Sequence, residues 1–204
     1  MLNCINDYNG DSTKYFAWGD IRGKNKNGNG SYSFSRDNYN AGLCGSGHNL
    51  KGDLPQGNAT YDAARANMGS PWKMPTKEQC QELKDGTNPT WTTMNGVNGY
   101  KLTSKTDSSK YIFLPAGGFW IDTNHFSAND RCYCLTTTWL KINMAISLAF
   151  STSTMPEVSS TYTWYGDSVR AKQSPGSKEP RLYLANYDHY LCQISNTLSC
   201  QVSG

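Results

Sequence analysis

Cys132 and Cys134 stand one residue apart, and paired thiols are the first place to look for redox or metal chemistry. Tetrahedral zinc needs a second ligand pair, and the sequence offers none at that spacing. The spacing is also too tight for an easy disulfide. Cys4, Cys44, Cys80, Cys192 and Cys200 bring the count to seven, so at least one thiol is unpaired within the chain. Scattered free thiols are expected, with Cys192–Cys200 as the one link considered. His48, His125 and His189 sit in unlike contexts, none with a second His or carboxylate at metal-ligand spacing. Asp122 and Asp130, with Asn124 and Asn129, offer the oxygen ligands Ca²⁺ prefers. Their spacing matches no recognised loop, so a polar turn is expected and no cofactor is assigned. "CGSGH" (44–48) lacks the strand and helix of a serine nucleophile elbow. "GDIRGKN" (19–25) is one residue short of a phosphate loop and lacks its hydroxyl. No catalytic residue is assigned.

The elements that would carry any site read as helices first and strands later. "KYFAW" (14–18) suits an aromatic strand, and residues 19–58 are rich in Gly, Asn, Ser and Asp with little periodicity. Ala63, Ala64 and Ala66 favour a helix over 61–68, with Asp62 at its positive end and Gly69 closing it. Thr76 and Gln79 fit a capping box for a second helix, which runs to Gly86 with Cys80 and Leu83 as its apolar stripe. Just before it, Trp72, Met74 and Pro75 read as scaffold, with Trp72 largely buried. After Gly86, "TWTTM", "GYKLTS", "KYIFLPAGG", "MAISLAF" and "STYTWYGDSVR" read as strands. Turn signals at Asn95-Gly96, Asn98-Gly99 and Asp107-Ser108 separate the earlier ones. Two early helices and several late strands predict an α+β domain.

The chain has 204 residues, a hydrophobic fraction of 37%, 12% aromatics and a net charge of +3. The charge is spread without a basic stripe, so nucleic acid is not an expected partner. No apolar run is long enough to span a bilayer. "MLNCINDYNG" has neither the charged start nor the apolar centre of a leader.

"YFAWGD" (15–20), "GSPWKMPTKEQCQEL" (69–83), "TWTTMNGVNGYKLTS" (90–104), "YIFLPAGGFW" (111–120), "AISLAF" (145–150) and "YGDSVRA" (165–171) occur in that order. Together they resemble the Fibrobacter succinogenes major paralogous domain, a branch of the C-type-lectin-like superfamily. That superfamily also holds formylglycine-generating enzymes and the variable proteins of diversity-generating retroelements. The resemblance covers roughly residues 14–171 and implies a lectin-like fold: two helices, a small twisted antiparallel sheet and long loops on one face. It implies one domain over 1–171 with a C-terminal extension over 172–204. It also implies that Arg170, in "SVR", is scaffold. The chain departs from the family at "IDTNHFSAND" (121–130) and "RCYCLTTTW" (131–139), where such folds place ligand loops.

The expected function is therefore a non-enzymatic ligand-binding module, displaying a variable loop face to a protein or glycan partner at a cell surface, in a secreted form or on a virion. The resemblance keeps two alternatives open: a formylglycine-generating type of oxidoreductase using Cys132 and Cys134, and a structural subunit of a surface or virion assembly. The expected site comprises Trp120, Asp122, Asn124, His125, Tyr133, Trp139, Lys141 and Asn143, bordered by Tyr162 and Trp164. Rigid aromatics among adaptable polar residues are what binding faces use. Strand alternation predicts Phe119, Ala145, Leu148 and Phe150 buried, and Trp120 and Trp139 exposed.

Overall fold

The structure, a computed structural model, describes residues 6–7, 12–25, 34–37, 39 and 52–173. Its elements in chain order are β1 (Asn6–Asp7), β2 (Ser12–Tyr15), β3 (Lys24–Asn25), α1 (Ala63–Met68), β4 (Trp72–Lys73), α2 (Lys77–Gly86), β5 (Thr87–Met94), β6 (Val97–Ser104), β7 (Tyr111–Pro115), β8 (Phe119–Ile121), β9 (Asn124–Phe126), β10 (Arg131–Lys141), β11 (Met144–Ser151), β12 (Thr154–Tyr162) and β13 (Lys172–Gln173). The architecture is mixed, with small antiparallel sheets and two helices, compatible with the α+β class. Cys4, Cys44, Cys192, Cys200, His48, His189 and most of the 172–204 extension lie outside the described residues.

Both helices start where side-chain oxygens replace missing backbone partners. Thr76 Oγ1 accepts from Gln79 N, and Gln79 Oε1 accepts from Thr76 N, closing the capping box of α2. Cys80 is buried and Leu83 packs against the core. α1 begins at Ala63 rather than Tyr61 because Asp62 is its N-cap. The buried Asp62 carboxylate accepts from Arg65 N at 3.0 Å, Gly57 N at 2.7 Å and Met74 N at 3.0 Å. One side chain thus joins the preceding loop, the helix and the approach to α2, and it fixes Met74 in the core. Trp72 is half-buried, not largely buried as expected. It lies in a two-residue strand paired with β13, and its ring packs on the core only in part.

Strands β5, β6 and β7 form one antiparallel sheet, and β10, β11 and β12 another. Asn95 and Gly96, with φ of 51° and 79°, form the two-residue turn between β5 and β6. Asn98-Gly99 is not a turn, because both residues lie inside β6 and pair with Thr93 and Thr92. β11 is the centre of its sheet, and every residue from Ala145 to Ser151 is buried. The largest correction concerns 121–139, where the resemblance implies ligand loops. It holds β9 and most of β10, the longest strand described. Cys132, Cys134, Leu135, Thr136 and Thr137 are buried there, and their β-branched and apolar side chains suit a strand more than a free loop. A bulge after Leu135 turns backbone away from β11. Its freed groups are used: Trp18 Nε1 donates to Thr136 O, and Leu54 N to Thr137 O, each at 2.8 Å.

The strand read at 14–18 ends at Tyr15, yet its alternation persists to Trp18. Phe16 and Trp18 enter the main core with Leu102, Ile112, Leu148 and Phe150. Tyr15 and Ala17 enter a second cluster with Phe34, Tyr39 and Trp120. The strand read through "STYTWYGDSVR" also stops early, with β12 ending at Tyr162. After a turn, Gly166, Asp167 and Ser168 pair singly with Trp120, Phe16 and Cys134. Arg170 is buried.

Replacing Asp62 by Ala leaves three backbone donors without a partner, of which Met74 N is buried and Gly57 N and Arg65 N partly so. The expected loss is roughly 2–4 kcal/mol by urea denaturation, more than an ordinary N-cap loss. A loss below about 0.5 kcal/mol, the scale of surface substitutions, would contradict this role.

Candidate functional site

The β8–β9 hairpin sorts its side chains by pairing. Phe119 stands opposite Phe126, Trp120 opposite His125, and Ile121 opposite Asn124. Directly opposed residues share a face, so Phe119 and Phe126 are on one side and Trp120 and His125 on the other. Trp120 lies flat on His125, with centroids 4.7 Å apart and planes 4° from parallel. Tyr15 meets both rings edge-on at 6.1 and 5.2 Å. His125 Nε2 is 2.8 Å from Gly117 O, and partial burial pushes the imidazole pKa down. Trp120 is 6% exposed, so the expectation that it faces solvent and Phe119 the core is reversed. The cause is pairing. Trp120 exchanges two backbone bonds of 2.9 Å with Gly166, and this places its ring in the second core cluster. Gly118 permits the turn into β8: its φ is 71°, and a Cβ there would stand 2.8 Å from His125 Nε2.

The other side of the hairpin opens a continuous aromatic face. Phe119 stacks with Phe126 at 5.8 Å and with Tyr165 at 5.6 Å, and meets Tyr133 edge-on at 5.3 Å. Tyr165 continues to Tyr162 at 5.1 Å, and Tyr162 stacks on Trp164 at 4.5 Å. Arg36 lies 6.0 Å over the Trp164 ring. Phe126 and Tyr162 are each 42% exposed. Four chain segments supply these rings: β8–β9, β10, the end of β12 and the turn after it.

A buried carboxyl lies beside this face. Asp167 is fully buried, and Thr161 Oγ1 donates to its Oδ2 at 2.6 Å. Its Oδ1 has no hydrogen-bond partner. Burial pushes Asp167 up to about 8, opposed by the Thr161 bond, so the carboxyl is mostly protonated at neutral pH. Tyr165 is raised as well, first by burial, then by the neighbouring Tyr162, Asp167 and Tyr133 oxygens.

Of the ten residues expected at the site, the structure joins Tyr133, Tyr162 and Trp164 in the aromatic face. Asp122 and Asn124 are exposed at the turn and strand of the adjoining hairpin. Trp120 and His125 occupy the hairpin's inner side. Trp139 is a correction: it is half-buried against the main core, and its N donates to Asp53 Oδ1 at 2.8 Å. The bulge in β10 turns it there. Lys141 is exposed and Asn143 half-buried at the β10–β11 turn. That turn reaches the face through Thr163 N, which donates to Asn143 O at 3.0 Å. Phe119 and Tyr165 were missed as site residues, and so was Asp167. The period-two signal was present, but a three-residue strand leaves its parity open.

Comparison with family models, with curated proteins and with solved structures finds no match for this chain.

Two other chemistries have definite geometry. Cys132 and Cys134 are both buried, with Sγ atoms 3.4 Å apart in the main core. Among the described residues, no group of three or more His, Cys, Asp or Glu is placed to hold a metal ion. Asp130 Oδ1 instead accepts from Thr152 Oγ1.

Two outcomes follow for solution measurements. Asp167 holds its proton in the fold up to about pH 8 but loses it near pH 3.8 when unfolded. Its contribution to stability is full below the lower value and is lost as pH rises through the upper one. Wild-type stability should therefore fall across this window, and Asp167→Asn should flatten the fall by at least about 1 kcal/mol. An unchanged slope would contradict the assignment. Second, Cys132 and Cys134 should react with a thiol reagent at least about 100-fold more slowly in the native protein than in urea. Comparable rates would contradict their burial.

Proposed function

We propose that this chain is a non-enzymatic binding module that holds a protein or glycan partner on the aromatic face. The observation that carries this reading is the run of Phe126, Phe119, Tyr165, Tyr162 and Trp164, with Tyr133 at its side. Large aromatic rings lose little conformational entropy on binding and dominate interface energetics. Here they come from the short β8–β9 hairpin, from β10, from the last residue of β12 and from the turn after it.

The fold reading belongs to the same proposal. Two helices, small antiparallel sheets and long connections support a C-type-lectin-like domain, and the motif order at 14–171 supports the Fibrobacter succinogenes major paralogous branch. The departure from that family at 121–139 supports a diversified face, as in the variable protein of a diversity-generating retroelement. The matching place of action is a cell surface, a secreted form or a virion. A thiol-based oxidoreductase is less supported, since a reactive thiol needs access and both Cys132 and Cys134 are buried. No helix among the described residues is long and apolar enough to cross a membrane.

The test uses the double variant Phe126→Ala and Tyr162→Ala. Both rings are substantially exposed, so each change should cost about 1 kcal/mol of stability or less. Wild-type and variant chains would be screened against arrays of surface glycans and surface proteins. At least one ligand should bind the wild type about tenfold or more tightly than the variant. Ligands bound equally by both folded chains would overturn the reading.

A further inference from the structure

Arg131 has an unusual environment for a guanidinium. It is half-buried, and no carboxylate lies within ion-pairing distance of it among the described residues. Its Nη1 donates to Tyr133 Oη at 3.3 Å, while its Nε is buried with no hydrogen-bond partner. A buried donor left unmade costs free energy and asks for an explanation. The neighbouring acids do not supply one. Asp130 is engaged by Thr152, and Glu157 lies two strands away in the row Tyr133, Ala149, Glu157.

We propose that Arg131 is the anion-recognition point of the aromatic face, and that the partner it takes is a polypeptide presenting an Asp or Glu side chain. This rests on the reading of that face as a binding surface. Arg131 and Tyr133 are two apart in β10 and share a side of the strand, so the guanidinium borders the rings. Nε is closed to solvent, so a partner's carboxylate would meet the outer guanidinium nitrogens, of which Nη1 is also held by Tyr133. The rings favour the same ligand. Phe119 stacks with both Phe126 and Tyr165, at planes 23° and 17° from parallel, and Tyr162 stacks on Trp164. These stacks spend part of the ring-face area on other rings. A partner meets ring edges, which carry the positive rim of the aromatic quadrupole, and phenol hydroxyls, beside the exposed parts of Phe126 and Tyr162. Edges, hydroxyls and a guanidinium complement a carboxylate. A sugar that stacks on an aromatic wants a free ring face, which this arrangement offers sparingly. At the far end Arg36 and exposed Lys141 add positive charge, and neither is ion-paired among the described residues. Arginine and aromatics together are the residues enriched at protein–protein contacts.

The experiment is a selection of random displayed peptides on the immobilised full chain, with binders to the Phe126→Ala, Tyr162→Ala variant subtracted. The selected peptides should carry a recurrent Asp or Glu. Replacing that residue by Asn or Gln in a synthetic peptide should weaken binding about tenfold or more. Arg131→Gln should cause a similar loss, with Arg131→Lys intermediate, and free glucuronate should not compete. The peptide-side substitution needs no change in the protein, so it decides even where Arg131→Gln impairs folding. Face-dependent peptides without an acidic residue, or an Asp-to-Asn or Glu-to-Gln change with no effect, would overturn the role of Arg131 and leave the binding face standing. Competition by glucuronate would reassign the ligand to an acidic sugar. Recovery of no face-dependent peptide would overturn the polypeptide partner, while the glycan arrays would still test the face itself.

Discussion

Three consecutive residues, Gly166, Asp167 and Ser168, hold the parts of this protein together through alternating backbone pairs. Gly166 exchanges bonds with Trp120, Asp167 exchanges bonds with Phe16, and Ser168 bonds to Tyr133 O and Leu135 N. Each peptide group faces opposite to the last, as extended backbone requires, so one short segment reaches β8 and β10 on one side and the chain after β2 on the other. The fit is close. A Cβ on Gly166 would stand 2.6 Å from the Phe34 ring, so no larger residue enters without displacing the second core cluster.

The aromatic face follows from this seam. Pairing with Gly166 sends Trp120 inward, and the period of two then sends Phe119 and Phe126 outward. The residues just before the seam, Tyr162 to Tyr165, meet those rings from the other side. Asp167 in the seam is buried beside them with its proton retained, which avoids placing a bare charge in a low-dielectric site. Scaffold and face are thus adjacent in sequence yet differ in freedom. The seam residues Gly166, Asp167 and Ser168 are committed to packing, while Phe126 and Tyr162 are presented to solvent.

Much of the scaffold was legible in the sequence because its signals are local. The Thr76–Gln79 capping box, the Asn95-Gly96 turn and the apolar run of β11 each depend on a few neighbouring residues. Of the residues expected at a site, Tyr133, Tyr162 and Trp164 lie in the aromatic face, but the outline of that face was not legible. Phe119 and Trp120 exchanged roles because the parity of a three-residue strand is set by a partner far along the chain. Trp139 was misplaced because a bulge in β10 resets the alternation without a glycine or proline to mark it. The strand at Arg131–Lys141 was missed for a related reason. A strand that carries buried cysteines and threonines lacks the aliphatic run by which core strands are usually recognised.

The seam fixes which side of the hairpin is scaffold and which is free. Saturation substitution across 119–126 and 162–168, scored by protease resistance of the displayed chain, measures this directly. Gly166 should tolerate almost nothing and Trp120 only large apolar residues, while Asn124 and Phe126 should accept polar ones freely. Polar residues tolerated at Trp120 as readily as at Asn124 would contradict it.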